Sequence, residues 1–211
     1  MHDSQLQRLV EVMNTLRSPG GCPWDAEQTH ESLIKYLLEE SYEFIDAVET
    51  NDRAGLQEEL GDLLLQVYFH ARIAQDDPQN PFTIEDVARG IADKLINRHP
   101  HVFADVQVSG VAEVISNWEE IKAAEKGRTS AIDGVALSQP SLPLISKLLH
   151  RAEKYGVSLD LPTTQVNDAE MAVEQILAIA AWASANEIDL DALLRQRARA
   201  LMAQIQSNEA R

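Results

Sequence analysis

The chain has 211 residues, of which 45% are hydrophobic and 25% are charged, a composition typical of a globular protein with one core or a core plus a small appendage. The formal net charge is -16, and an acidic surface of this kind repels phosphate backbones, so we expect no nucleic-acid partner. No apolar run reaches the roughly 18 residues that a membrane span needs, and the start lacks the pattern of a secretory signal, so no membrane association is expected.

The first predicted element is a helix over residues 5–17, where apolar residues recur at three- and four-residue spacing. Four Pro and Gly residues then occur within residues 18–23 and end this helix. This segment contains Cys22, the single cysteine, which cannot form an internal disulfide. A lone cysteine fits a reducing, cytoplasmic location.

Helical periodicity continues through the rest of the chain. The further predicted helices cover residues 29–49, 53–75, 83–97, 111–126, 144–155, 168–185 and 190–206. Thr29 and Thr83 are the predicted N-caps of the helices over residues 29–49 and 83–97, and His99-Pro100 ends the second of these helices. No strand alternation occurs. The predicted fold is all-α, an antiparallel four- or five-helix bundle followed by a smaller helical C-terminal region.

Two pairs of carboxylates lie on the second and third long helices. Glu40 and Glu43 are three residues apart, as are Glu59 and Asp62, so each pair shares one helix face. Apolar neighbours place both pairs at the edge of the stripe that meets other helices, and the short turn at 50–52 makes the two helices antiparallel neighbours. Four converging carboxylates repel one another and need protons or cations. Hard oxygen ligands suit Mg²⁺ or Mn²⁺ and phosphate chemistry.

These carboxylates admit two other interpretations. The first is an acidic face exposed to solvent, which periodicity alone does not separate from a metal site. The second is a carboxylate-bridged di-iron bundle, which needs two Glu-x-x-His repeats. The single example is Glu27-x-x-His30, at a helix entrance, so the di-iron interpretation is set aside.

Residues 6–126 resemble the MazG family of nucleoside triphosphate pyrophosphohydrolases. The matching blocks are Gly21-Cys22-Pro23-Trp24-Asp25, Gln28-Thr29, Glu39-Glu40-Ser41-Tyr42-Glu43, Glu59-Leu60-Gly61-Asp62-Leu63-Leu64-Leu65-Gln66, Lys94-Leu95-Ile96-Asn97-Arg98-His99-Pro100-His101-Val102-Phe103 and Asn117-Trp118-Glu119-Glu120-Ile121-Lys122. The blocks occur in the family's order, and together they are highly specific.

The resemblance implies a reaction and a set of site residues. The reaction is the Mg²⁺-dependent conversion of a nucleoside triphosphate to the monophosphate and pyrophosphate, with Mn²⁺ as a second possible cation. The implied metal ligands are Glu40, Glu43, Glu59 and Asp62, and Glu39 is a further carboxylate that supports them or acts as a base. The family also implies a homodimer.

Positive and aromatic residues complete the expected substrate site. Lys94 and Arg98 are four apart on one helix face, and the resemblance implies that they contact phosphates. Lys35 is a weaker candidate of the same kind. Trp118 is expected near the base or ribose, and Lys122 one turn further on could reach the same site. The alternatives are solvated helix charges and, for Trp118, a core anchor.

The C-terminal part of the sequence lacks the acidic motif. Residues 1–127 form the expected MazG-like domain, and residues 128–211 resemble a degenerate helical repeat that packs or dimerises without binding metal. A nucleotide-pool house-cleaning enzyme is one form of the predicted function. A non-catalytic nucleotide-binding or scaffold protein is the alternative, motivated by the missing second motif. The sequence leaves the preferred nucleotide open.

Overall fold

The structure is a computed structural model that describes residues 4–161 and 165–210. The helices are α1 (Gln5–Arg17), α2 (Pro23–Glu27), α3 (His30–Glu49), α4 (Arg53–Ala74), α5 (Ile84–Arg98), α6 (Pro100–Phe103), α7 (Val111–Glu125), α8 (Ser141–Lys154), α9 (Ala169–Ala185) and α10 (Leu190–Glu209). Over these residues every regular element is a helix, so the predicted all-α fold is confirmed. No helix in the described part of the chain has the length and apolar character that crossing a membrane requires.

The chain divides into two compact units, the first ending at Ser109 and the second beginning at Gly110. Helix α7 therefore belongs to the second unit, whereas the predicted domain 1–127 includes it. That domain assignment stays a prediction.

Side-chain caps set the start of the two helices that will carry the carboxylates. Thr29 accepts a hydrogen bond from the backbone N–H of Ser32 at 3.2 Å, and the Ser32 hydroxyl bonds back to the Thr29 backbone, a capping box. Asp52 caps α4 by accepting from the backbone N–H groups of Ala54 and Gly55, each at 3.0 Å. Only three residues separate α3 from α4, so the two helices pack as antiparallel neighbours.

The core of the first unit lies towards the start of α3 and the end of α4. Its buried members are Met13 from α1, Leu33 from α3, and Tyr68 and Phe69 from α4. These side chains hold α3 against α4 at one end of the pair, because burying apolar surface stabilises their contact. The stretch between this core and the turn is where the carboxylates lie.

Helix α2 is not predicted from the sequence, because the Pro and Gly residues just before and at its start usually interrupt helices. Proline is tolerated in the first turn of a helix, and Pro23 begins α2. A Cβ added to Gly21 would lie 2.2 Å from the Thr15 carbonyl oxygen, so only glycine fits there. Arg17 donates to the backbone carbonyls of Asp25 and Gln28 and thereby holds α2 against α1. Helix α6 was missed for the same reason, since it also begins at a proline.

A histidine pair joins the first turn of α3 to α4. The Nδ1 atoms of His30 and His70 lie 2.7 Å apart, and the two rings are parallel within 3° with centroids 5.0 Å apart. These values describe two rings in one plane that share a single N–H···N hydrogen bond. Burial, and then the neighbouring His30, lower the pKa of His70, which favours the neutral pair. The pair adds a polar contact to the apolar packing between α3 and α4.

The second unit has a separate core built mainly by α8 and α10. Its buried residues are Ala131, Val135, Leu144, Leu148, Ala152, Ala198, Leu201 and Ile205. The irregular segment between α7 and α8 is attached to this core by Arg151, which is buried. Its Nε donates to the Ala131 carbonyl and its NH2 nitrogen donates to the Asp133 carbonyl, both at 2.9 Å.

Replacing Arg151 by methionine is expected to destabilise the second unit by about 2–4 kcal/mol, because two backbone carbonyls lose their charged donors. Urea unfolding of the full chain measures the change. Arg195→Met is the matched control, since Arg195 pairs with Asp191 on the surface of α10 and its loss should change stability by about 0.5 kcal/mol or less. Equal free energies of unfolding for the two variants would show that the Arg151 contacts contribute nothing to the stability of the second unit.

Candidate functional site

Three glutamates converge between α3 and α4. Glu40 and Glu43 come from α3 and Glu59 comes from α4, and one carboxylate oxygen of each lies within 4.8 Å of the other two. Glu40 and Glu59 are half-buried, while Glu43 is exposed. Among the described residues this is the single group of three or more His, Cys, Asp or Glu side chains placed closely enough to hold a metal ion.

Local structure accounts for the convergence. Residues three apart on a helix face the same direction, so Glu40 and Glu43 point together. The antiparallel arrangement then brings Glu59 opposite them, because it lies as far after the turn as Glu43 lies before it. The structure thus brings these three side chains together, and their role as metal ligands stays a prediction.

The convergence changes the acidity of the carboxylates. Burial raises the pKa of Glu40, and the charges of Asp62 and Glu43 raise it further. Burial likewise raises the pKa of Glu59, followed by repulsion from Glu43 and Asp62. The Oε2 atom of Glu59 is fully buried, and no donor among the described residues bonds to it. Negative charge in this space is therefore incompletely compensated by the protein.

A bound cation would supply the missing compensation. Three carboxylate oxygens converge, and the Glu59 carboxylate also has a buried oxygen without a partner among the described residues. Such hard oxygen ligands fit a hard divalent ion. A site of this type can bind a metal ion and, through it, the oxygens of a phosphate group. The residues therefore fit the cation that the sequence predicts.

The raised pKa of Glu59 predicts how a neutral replacement behaves. Without metal, the folded chain binds the proton of the Glu59 carboxyl group more tightly than the unfolded chain does. The stabilisation from protonated Glu59 is therefore present below its ordinary pKa and is lost as pH rises through the raised pKa. Glu59→Gln is therefore expected to unfold at a higher temperature than wild type at about pH 7.5, with the difference shrinking towards about pH 5.

Thermal unfolding in the presence of a chelator measures this difference. Glu49→Gln is the control, because Glu49 is exposed near the end of α3, lies outside the three-oxygen group and is not among the charges that raise the pKa of Glu59. A Glu59→Gln variant that is less stable than wild type at neutral pH would contradict the repulsion described above.

The other predicted acidic residues lie beside the group. Asp62 is half-buried on α4 and raises the pKa of both Glu40 and Glu59, but it is not one of the three residues whose oxygens converge. Glu39 is exposed, and its charge also raises the pKa of Glu40. Their assignment as metal ligand and as base stays a prediction.

The predicted basic and aromatic residues lie on other parts of the fold. Lys94 is exposed on α5, and Arg98 is half-buried at the end of the same helix. Lys35 is exposed on α3 with its Nζ 4.6 Å from the Tyr36 ring centroid. Trp118 and Lys122 lie on α7 in the second unit, where Lys122 donates to Glu119 at 3.4 Å. Their roles towards a substrate stay predictions.

One polar residue on the carboxylate face of α4 belongs to the sequence motif but has no predicted role. Gln66 lies on α4, one helical turn beyond Asp62, and its side chain is only 5% exposed. The signal that could have identified it is its spacing, because positions 59, 62 and 66 share one face of a helix. A polar side chain so deeply buried on the carboxylate face is unusual.

Residues 28–103 match the model of the MazG nucleotide pyrophosphohydrolase domain. A solved structure described as a mazG-related protein from Thermotoga maritima is 32% identical, with 55% of this chain and 97% of that chain covered and a TM-score of 0.46. The chain belongs to the MazG family.

Two longer relatives match over most of this chain. It is 47% identical over 176 residues to a nucleoside triphosphate pyrophosphohydrolase of Mycobacterium tuberculosis, covering 82% of this chain and 53% of that protein. It is 51% identical over 157 residues to an uncharacterized 26.1 kDa protein of Streptomyces cacaoi, covering 74% of this chain and 64% of that protein. The chain thus spans about half to two thirds of the length of these relatives.

The matched MazG segment covers the carboxylate site. It begins just before α3 and ends at the last residue of α6. It therefore contains all three converging glutamates together with Asp62, Lys94 and Arg98. Helix α7 lies beyond the match.

Proposed function

We propose that the chain hydrolyses nucleoside triphosphates to nucleoside monophosphates and pyrophosphate in a reaction that depends on Mg²⁺, with Mn²⁺ as an alternative cation. The observation that carries the proposal is the convergence of Glu40, Glu43 and Glu59 inside the segment that matches the MazG nucleotide pyrophosphohydrolase domain. The name of the Mycobacterium tuberculosis relative supports the same activity.

Each acidic residue has a proposed role in this reaction. Glu40, Glu43 and Glu59 hold the cation, and Asp62 completes the acidic set beside them. When bound, Mg²⁺ would offset the negative charge of the phosphate oxygens and of the leaving group. Glu39, exposed beside the cluster, orients the attacking water and accepts its proton.

The basic residues of α5 are proposed to bind the polyphosphate. Lys94 and Arg98 are four residues apart, and an arginine can donate two parallel hydrogen bonds to phosphate oxygens. Lys35 is a further phosphate contact on α3. For Trp118 and Lys122 we propose contact with the nucleoside.

Pyrophosphate release tests the proposal directly. The purified chain is incubated with Mg²⁺ and, in turn, canonical, deoxy and oxidised nucleoside triphosphates, and a chelator provides the metal-free control. Release that requires both cation and triphosphate is expected, and the ranking of rates identifies any house-cleaning preference. Nucleotide binding without turnover would instead support a non-catalytic binding protein.

We also propose that the chain is a homodimer. Ile34, Leu38, Tyr42 and Ile45 form an apolar stripe along α3, and each is about half exposed. An exposed stripe of this length favours association with a second copy. Light scattering should report twice the chain mass, and Leu38→Asp should shift it to one chain. A monomeric wild type at micromolar concentration would remove the proposal.

For residues 128–211 we propose a packing or dimerisation role without metal, since the only described group of metal-binding geometry is in the first unit. A cytoplasmic location is proposed for the whole chain, because nucleoside triphosphates are abundant there and the single thiol of Cys22 is unpaired.

A further inference from the structure

One face of α4 changes along its length from charged to apolar. Glu59 and Asp62 lie at the end near the turn, and Phe69, only 3% exposed, lies in the core with Leu33 of α3. Gln66 falls between them on the same face, one turn from Asp62 and one turn from Phe69. Gln66 is therefore the polar residue at the boundary between the carboxylate site and the core.

The amide oxygen of Gln66, Oε1, is fully buried without a hydrogen-bond partner among the described residues. An unsatisfied buried acceptor costs about 1–3 kcal/mol, so such atoms are rare unless another group completes them. Phe69 and Leu33 on the core side offer no donor. Side chains of an α-helix lean towards its N-terminus, so we expect the Gln66 amide to lean towards Asp62 and away from Phe69. A donor can therefore reach it from the carboxylate end of α4.

A hydrated divalent cation would bring such a donor. Magnesium keeps several of its waters when it binds to carboxylates, and these waters are strong hydrogen-bond donors. Residues that accept hydrogen bonds around a metal site orient its ligands, and their removal weakens metal affinity. A neutral amide can do this without adding to the repulsion that already raises the pKa of Glu40 and Glu59.

We propose that Gln66 is a positioning residue of the metal site, and that its amide oxygen accepts a hydrogen bond from the hydration shell of the cation held by Glu40, Glu43 and Glu59. The inference rests on the proposed metal-dependent function and deepens it by adding a neutral member to the site. If the proposal holds, loss of the amide weakens affinity for the cation without lowering the stability of the metal-free chain. A purely structural glutamine would instead contribute to the stability of the metal-free chain.

The test replaces the amide while keeping the size of the side chain. Gln66→Met has a similar length and no hydrogen-bonding oxygen, and Gln66→Glu keeps an oxygen acceptor at the same place. Gln57→Met is the matched control, because Gln57 is exposed on the same helix. Calorimetric titration with Mg²⁺ and with Mn²⁺ gives the affinity, and thermal unfolding in a chelator gives the stability without metal.

Gln66→Met is expected to bind both cations about 10-fold more weakly than wild type, while its metal-free unfolding temperature stays equal or rises. Gln66→Glu should retain or strengthen cation binding and lower metal-free stability, and Gln57→Met should match wild type in both. The proposal is overturned if Gln66→Met binds cations normally, or if it is destabilised without metal, which would show that the amide is satisfied inside the protein.

The result is distinguishable from a failure of the proposed function. A wild-type chain that binds no divalent cation overturns both inferences at once. A wild-type chain that binds the cation and releases pyrophosphate, with Gln66→Met unchanged in affinity, overturns only the role of Gln66. Binding that depends on Gln66 without any pyrophosphate release overturns the proposed reaction and supports the metal site.

Discussion

Glu43→Ala is expected to reduce Mg²⁺-dependent pyrophosphate release to background, a loss of about 100-fold or more. Glu43 supplies one of the three converging oxygens, and its charge raises the pKa of both Glu40 and Glu59. The substitution removes a ligand from the proposed cation and cannot be offset by a second acidic motif, because the sequence after residue 126 contains none.

The matched control for Glu43→Ala is Glu49→Ala, an exposed glutamate near the end of the same helix. Both variants should retain the helical circular dichroism spectrum of wild type. A Glu43→Ala chain with wild-type turnover would rule out this carboxylate cluster as the active site. Loss of activity in both variants alike would indicate a general effect of charge removal on α3.

Arg98→Ala is expected to lower kcat/KM for nucleoside triphosphates by about 10- to 100-fold, because a forked donor to the phosphates is lost. Arg98 lies at the end of α5 within the segment that matches the family. Cation affinity, measured by calorimetry in the absence of nucleotide, should stay unchanged. That combination separates a phosphate contact from a metal ligand, because removal of a ligand weakens cation binding as well.

Arg89→Ala provides the comparison on the same helix. Arg89 is exposed and pairs with Asp86 at 3.0 Å, three residues earlier, so its loss should leave steady-state kinetics near wild type. If Arg98→Ala and Arg89→Ala have the same kinetics, the polyphosphate must bind elsewhere, and Lys35 on α3 becomes the next residue to test.

Much of the local structure was predictable because its causes are local. The helix starts after Thr29 and Thr83 depend on hydrogen bonds between residues three apart, and both capping boxes are present. The pairing of α3 with α4 follows from a turn too short to permit another arrangement. The spacing of Glu40 and Glu43 then determines a shared face whatever the rest of the chain does.

The composition of the site was only partly predictable. Spacing placed Glu59 and Asp62 together, but spacing along one helix does not determine how far α4 is rotated or shifted against α3. In the folded chain that rotation brings Glu59 into the three-oxygen group with Glu40 and Glu43 and leaves Asp62 beside it. The family resemblance, and not periodicity, connected these carboxylates with triphosphate chemistry.

The helical class, the capped helix starts and the pairing of the acidic helices follow from local sequence, because these features depend on interactions within a few residues. Which polar groups are buried depends instead on how the helices pack. Arg151 and Gln66 look like ordinary helix residues in the sequence, yet Arg151 donates to two backbone carbonyls and Gln66 has a buried, unpartnered oxygen. Burial depends on which elements pack together, and that information is distributed over residues far apart in the chain.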